Sequence, residues 1–281
     1  MRQQELSGDI RINVDLALVP VFVTDAYGRS VTGLARENFR VFEGSRQVPI
    51  AAFTMQDQPI SVGLIFDCSR SMREKFATAR EAVREFYQQL NPEDESFLIT
   101  VADRAELRQS FTGDFAELQN SLLFARPTGS TSLLDGIYMG LQLIKKSHNA
   151  RKALVVVSDG GDNNSRYSLT ELRRIAVEAD TQIFSMNLYQ NPQSEEEVHG
   201  PALMNDLCGG TGGVNFLVKE LADLHVAMGK IGVSLHNQYV LGYYPPDNSE
   251  SGKYRKIKVQ LLVPPNTPPL NVHARAGYYS R

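Results

Sequence analysis

The feature that most constrains this chain is a change of hydrophobic period along its length. From Ile60 onward, short, near-continuously apolar runs alternate with segments of helical period, and toward both ends the period falls back to two. The runs Ser61 to Phe66, Ser96 to Ala102, Lys152 to Val157, Gln182 to Asn187 and Val214 to Val218 predict strands buried on both faces. That is the habit of a parallel sheet covered by helices. Between them, Phe76, Ala79, Val83, Phe86 and Leu90 recur at three and four residues, as do Leu134, Ile137, Leu141 and Ile144, and later Leu221, Leu224, Met228, Ile231 and Leu235. Each set predicts one buried helix face. Phe97 to Val101 and Ala105 to Phe111 flank Asp103-Arg104 closely enough for a hairpin, which adds one antiparallel edge strand.

The ends read differently. Ile10, Ile12, Val14, Leu16 and Leu18 alternate with Arg11, Asn13, Asp15 and Ala17, the pattern of a half-buried strand with Leu16 and Leu18 facing inward. Pro20, the turn at Asp25 to Gly28, Gly33 and the turn at Glu43 to Ser45 then punctuate short apolar pieces up to Phe53. After Asn237, Tyr239, Leu241 and Tyr243 share one side of a strand. Ile257, Val259 and Leu261 alternate with Lys256, Lys258 and Gln260, and Val272, Ala274 and Ala276 form a last strand. A few strands can hardly bury a core alone, so residues 1–59 and 237–281 are expected to pair into one small β-sandwich. Residues 60–236 form the doubly wound, mostly parallel α/β domain inserted in it. The 281 residues leave room for both.

Composition excludes several classes. With 42% hydrophobic and 22% charged residues the chain resembles ordinary globular proteins. With 29 Lys plus Arg against 32 Asp plus Glu, a formal net charge of −3 and no long basic block, it offers no electrostatic footprint for nucleic acid. No apolar stretch approaches the ~20 residues of a membrane span. Met1 to Gly8 lack the apolar centre of a signal peptide, so an exported protein would be represented here without its leader. Cys68 and Cys208 are too few for a disulfide framework or a zinc site, and the five histidines show no ligand spacing.

In open α/β sheets ligands bind beyond the carboxyl ends of the strands. Three segments expected there carry hydroxyls and carboxylates: Asp67-Cys68-Ser69-Arg70-Ser71, Thr128-Gly129-Ser130-Thr131-Ser132, and Ser158-Asp159-Gly160-Gly161-Asp162. A hard cation such as Mg²⁺ takes about six oxygens, so hydroxyls in front with carboxylates behind them is a fitting donor set. Two carboxylates buried at one sheet edge would repel each other unless a cation neutralised them. Asp162 and Asn163 read as turn residues, and Asp135 as solvent-facing or capping.

These residues resemble the metal-ion-dependent adhesion site of von Willebrand factor type A domains, whose pattern is Asp-x-Ser-x-Ser, a distant Thr and a further Asp. Asp67, Ser69, Ser71, Thr131 and Asp159 match it. The flanks, such as Val19 to Asp25 and Tyr254 to Val259, are similar to an acidobacterial branch of related proteins. The resemblance implies that Ser69, Ser71 and at times Thr131 touch Mg²⁺ (or Mn²⁺ or Ca²⁺) directly, and that Asp67 and Asp159 act through water. It also implies that an Asp or Glu of a protein partner completes the shell, with Arg70, Ser130 and Gly160 on the rim. It further implies an extracytoplasmic protein. Arg70 stands where the family commonly has Gly. Two alternatives remain: a metal-dependent hydrolase using Asp67, disfavoured because Ser69 stands where such enzymes place a second acid and no lysine stands in the matching loops in an obvious phosphate-neutralising role, and a structural module with a vestigial site.

Overall fold

The computed structural model describes residues 16–55, 57–188, 195–246 and 252–280. The N-terminal segment supplies β1 (Ala17–Asp25), β2 (Phe39–Glu43), β3 (Arg46–Val48) and β4 (Ala52–Thr54). The middle runs β5 (Ile60–Asp67), α1 (Phe76–Tyr87), β6 (Glu95–Val101), β7 (Ala105–Thr112), α2 (Phe115–Leu123), α3 (Leu133–Ile144), β8 (Arg151–Ser158), α4 (Leu169–Glu178), β9 (Gln182–Leu188), α5 (Glu195–Thr211), β10 (Asn215–Val218) and α6 (Leu224–His236). The C-terminal segment adds β11 (Tyr239–Tyr243), β12 (Tyr254–Leu261), β13 (Leu270–Ala274) and β14 (Gly277–Tyr279).

The middle strands form a six-stranded sheet of order β10-β9-β8-β5-β6-β7. All neighbours are parallel except β6 and β7, so the antiparallel edge strand lies where the hairpin reading put it. Every residue of β5 is buried because helices cover both faces. Val62, Leu64 and Phe66 face α1 and α6, against Phe76, Val83, Met228 and Ile231, whereas Ile65 joins the cluster of Leu133, Ile137 and Leu141 from α3. Truncating one such side chain to Ala costs about 2–5 kcal/mol.

The two ends of the chain interleave in two four-stranded sheets, β13-β1-β11-β4 and β14-β12-β2-β3. Between them lies a core of Val19, Val21, Val23, Phe39, Val41, Tyr239, Leu241 and Ile257. The phase of the first strand differs from the expected one: Leu18 is 48% exposed, and Val19, Val21 and Val23 point inward. Pairing with β11 sets this phase, and β1 is covered on its other side too, where Phe22 packs on Phe184 of β9 and stacks on His273. The alternating positions before Leu16 lie outside the described residues. The last expected strand is two strands in different sheets. The chain crosses between them at Arg275-Ala276, where the Ala276 amide donates to the Gly210 carbonyl (3.1 Å). Helices α2, α4 and α5 are additions to the three expected.

At the amino edge of the parallel sheet a polar network ties strands to loops. Asp94 accepts from the Ile60 amide (2.9 Å) and the Asn91 amide (2.8 Å). Glu95 accepts from Ser61 Oγ (2.6 Å) and the His148 amide (2.8 Å). His236 Nδ1, at the end of α6, lies 2.8 Å from Asp57.

Candidate functional site

The opposite, carboxyl edge of the sheet gathers the residues singled out from the sequence. β5 ends at Asp67, and β8 ends at Ser158 with Asp159 directly after it. The Cys68 carbonyl accepts from the Thr128 amide (2.8 Å) and the Gly129 carbonyl from the Arg70 amide (3.1 Å), so the segment leading to Thr131 is laid against the Asp67–Ser71 loop. Asn163 holds the third loop to it: its side-chain oxygen accepts from the Thr131 amide (2.9 Å), and its own amide donates to the Thr131 carbonyl. Gly129 has φ +73°, and a Cβ there would sit 2.6 Å from the Asp103 carboxylate. Gly160 has φ +86°, and a Cβ there would meet Asn187 and the backbone of Gly200 on α5. These glycines therefore permit one stretch of the protein to approach another closely.

The donors are layered. Ser69, Ser71, Thr131, Arg70, Ser130 and Asp103 line an open cavity of about 560 Å³. Ser69 Oγ and Ser71 Oγ converge to 3.0 Å. Asp67 and Asp159 lie behind them, both 0% exposed. Asp67 accepts from the Ser69 amide (2.7 Å) and from Ser158 Oγ (2.6 Å), and that hydroxyl in turn accepts from the Gly160 amide (2.9 Å). Burial, and after it the charge of Asp159, push the Asp67 carboxyl up to about 7, although Ser158 and Ser69 pull the other way. Asp159 Oδ1 is buried with no hydrogen-bond partner.

An oxygen left bare in the interior costs desolvation energy with nothing in return, and native structures rarely tolerate it without a ligand or ion. Among the described residues no group of three or more His, Cys, Asp or Glu side chains gathers. The donors here are two carboxylates and three hydroxyls, chemistry that suits an oxygen-seeking divalent ion and not a soft metal.

Sequence reasoning missed Lys75. Lys75 is 4% exposed in the turn before α1, and its ammonium lies 3.3 Å from Asp159 Oδ2 and donates to the Leu188 carbonyl (3.2 Å). The signal was present: Lys75 falls four residues before Ala79, within the buried stripe of α1. Ser158 and Asn187 were missed as well, Asn187 being 1% exposed with both side-chain polar atoms unpartnered. Asp162 does serve the turn, accepting from Ser165 Oγ (2.5 Å) and the Leu134 amide (3.3 Å). Asp135 does not face solvent. It is 8% exposed and accepts from the Arg166 amide (2.8 Å), fastening the 162–167 loop to α3. Cys68 and Cys208 are both buried and free, each thiol pushed up to about 12, chiefly by burial.

Residues 62–161 match a family model described as the von Willebrand factor type A domain. A search of curated proteins gave no match. Among solved structures, von Willebrand factor type A from Catenulispora acidiphila is 14% identical with a TM-score of 0.58, over 86% of this chain and 65% of that one. The vWF domain of the type V pili tip protein Mfa5 from Porphyromonas gingivalis is 13% identical with a TM-score of 0.51, over 63% of this chain and 95% of that one. Proximal thread matrix protein 1 from the mussel byssus, solved with a zinc-occupied MIDAS motif, is 12% identical with a TM-score of 0.55, over 69% and 49%. At these identities the likeness to each structure is one of fold. With the family match spanning the loops of Asp67 and Asp159 and the sheet order now in view, the α/β unit at the centre of this chain is a von Willebrand factor type A domain.

Proposed function

We propose that the chain is a metal-ion-dependent protein-binding module, in which Ser69, Ser71 and Thr131 hold a divalent cation, Mg²⁺ or Mn²⁺ or Ca²⁺, with Asp67 and Asp159 behind them. The observation that carries this reading is the buried, unpartnered Asp159 Oδ1 behind a converging pair of serine hydroxyls at the floor of an open cavity. A bound divalent ion supplies an open coordination position to an incoming carboxylate. The chain's own residues do the rest. Ser158 and the Ser69 amide fix the Asp67 carboxylate, Asn163 fixes Thr131, and exposed Arg70 and Ser130 offer a cationic and a hydrogen-bonding rim to an Asp or Glu of a protein partner. The zinc-occupied motif of the mussel protein and the pilus-tip setting of the Porphyromonas domain support this reading and an extracytoplasmic setting. Among the described residues no helix is long and apolar enough to cross a membrane.

Hydrolysis through Asp67 is not favoured. That carboxylate is 0% exposed and is held by Ser158 and the Ser69 amide behind the residues that line the cavity, so it is screened from a substrate there. The test is calorimetric titration of chelator-treated protein with Mg²⁺ and Mn²⁺ beside the Asp159→Ala variant. Saturable one-site binding in the parent, lost in the variant, is the expected result. A parent that gives no heat with either ion would remove the metal from the reading.

A further inference from the structure

Lysine is among the residues least often buried, because its ammonium forfeits hydration unless a counter-charge replaces it. Lys75 is nevertheless 4% exposed, and the charge it meets is Asp159, a carboxylate of the cation site itself. The two oxygens of Asp159 are used unequally. Oδ2 faces the ammonium at 3.3 Å, whereas Oδ1 has no hydrogen-bond partner. A second anchor fixes Lys75 in place, since its Nζ also donates to the Leu188 carbonyl at the end of β9. The cation is thus held from two strand ends and does not sample solvent.

We propose that Lys75 is a built-in counter-ion of the metal site, which neutralises Asp159 in the metal-free protein and lowers the affinity of the site for divalent cations. This rests on the metal-binding reading above and deepens it. With the ammonium present, an arriving ion meets a pocket whose two carboxylates are already half compensated. Like charges a few ångströms apart in a water-poor setting repel strongly enough to move an equilibrium constant by an order of magnitude. The metal-free domain is correspondingly spared two adjacent, uncompensated carboxylates. The consequence for function is that the ion is held weakly by the protein alone and more firmly once a partner's carboxylate adds its negative charge. Metal and acidic partner then bind with positive coupling, each raising the affinity of the other by the same factor.

The test compares the parent with Lys75→Met and Lys75→Gln, which remove the charge while keeping much of the stem, by Mn²⁺ calorimetry and by thermal melting with and without chelator. The neutral variants are expected to bind Mn²⁺ about tenfold more tightly. They are also expected to melt lower than the parent in chelator and to gain more on adding Mn²⁺. Folded variants with affinity equal to or weaker than the parent's would overturn it and leave the metal site standing, as a purely structural lysine would do. Silence in parent and variants alike would remove the metal-binding reading and this inference with it. Should neither variant fold, the parent decides: a buried lysine ammonium resonance that shifts on saturation with Mg²⁺ supports the proposal, and one indifferent to Mg²⁺ overturns it.

Discussion

The two ends of β5 carry the same kind of side chain and put it to opposite use. At the amino edge, Asp94 accepts backbone amides from Ile60 and Asn91, and Glu95 takes a hydroxyl and an amide. Burial raises Glu95, but Ser61 and His148 more than offset it and hold the carboxyl below its ordinary range. Asp57 is likewise brought low against burial by His236 and Asn91. At the carboxyl edge, burial and a second carboxylate push Asp67 up to about 7, and an oxygen of Asp159 goes unpartnered. The chain ties its carboxylates off at one edge and keeps them in tension at the other. Strain of this kind is tolerated where a ligand relieves it, so the comparison separates a stabilising end from a binding end.

That separation can be broken by experiment. The largest effect is expected at the amino edge. Asp94→Ala strands the buried Ile60 amide and should cost about 3 kcal/mol in urea unfolding while leaving Mn²⁺ affinity unchanged. A loss of metal binding in a folded Asp94→Ala protein would mean that the two edges are not independent. Next in size is Asp67→Asn at the carboxyl edge, expected to gain on the order of 1 kcal/mol in metal-free protein at pH 8 and to lose the metal. The sign follows from Asp67 being raised from 3.8 to about 7. Its contribution is fully present below about pH 4 and is lost as pH rises toward 7, so stability of the metal-free parent falls over that window and the variant's profile is flatter. Glu95 works in reverse, contributing above its ordinary 4.5 and losing that contribution as pH falls through its lowered value. Urea midpoints taken from pH 3.5 to 8 on parent and variant would show both slopes, and a parent whose stability rises from pH 4 to 7 by as much as the variant's would contradict the assignment to Asp67. The smallest effect is expected at the rim. Arg70 is exposed and its field is screened by water, so Arg70→Gly should tighten Mn²⁺ binding by only about two- to threefold, and less at high salt.

Much of this was legible in the sequence, for a physical reason. In a parallel sheet the residues that follow an apolar run stand beyond its carboxyl end, and Asp67, Ser69, Ser71 and Asp159 lie at that edge beside Thr131. Lys75 escaped notice because a lysine at a helix start reads as solvated, and only its place in the α1 stripe argued otherwise. Helix α4 buries little beyond Leu172, Ile175 and Ala176, yet Ser168 and Glu171 form a reciprocal capping pair that the sequence displays openly. Helix α5 was hidden by Pro201 and its glycines, of which Gly200 is required by contact with Gly160 and not by helix formation. The phase of β1 was unreadable from alternation because both of its faces are covered, so period two no longer distinguishes inside from outside.

That doubly covered strand has a consequence in time. β1 pairs Ala17 with Tyr243 and Val21 with Ala274, partners synthesised long after it, whereas the strands of the parallel sheet find one another within the middle of the chain. A ribosome therefore releases an apolar ribbon, Val19 to Val23, long before its two neighbours exist. The middle domain can close while that ribbon waits, and until β11 and β13 emerge its open edges are the part of the nascent molecule most in need of shelter from other chains.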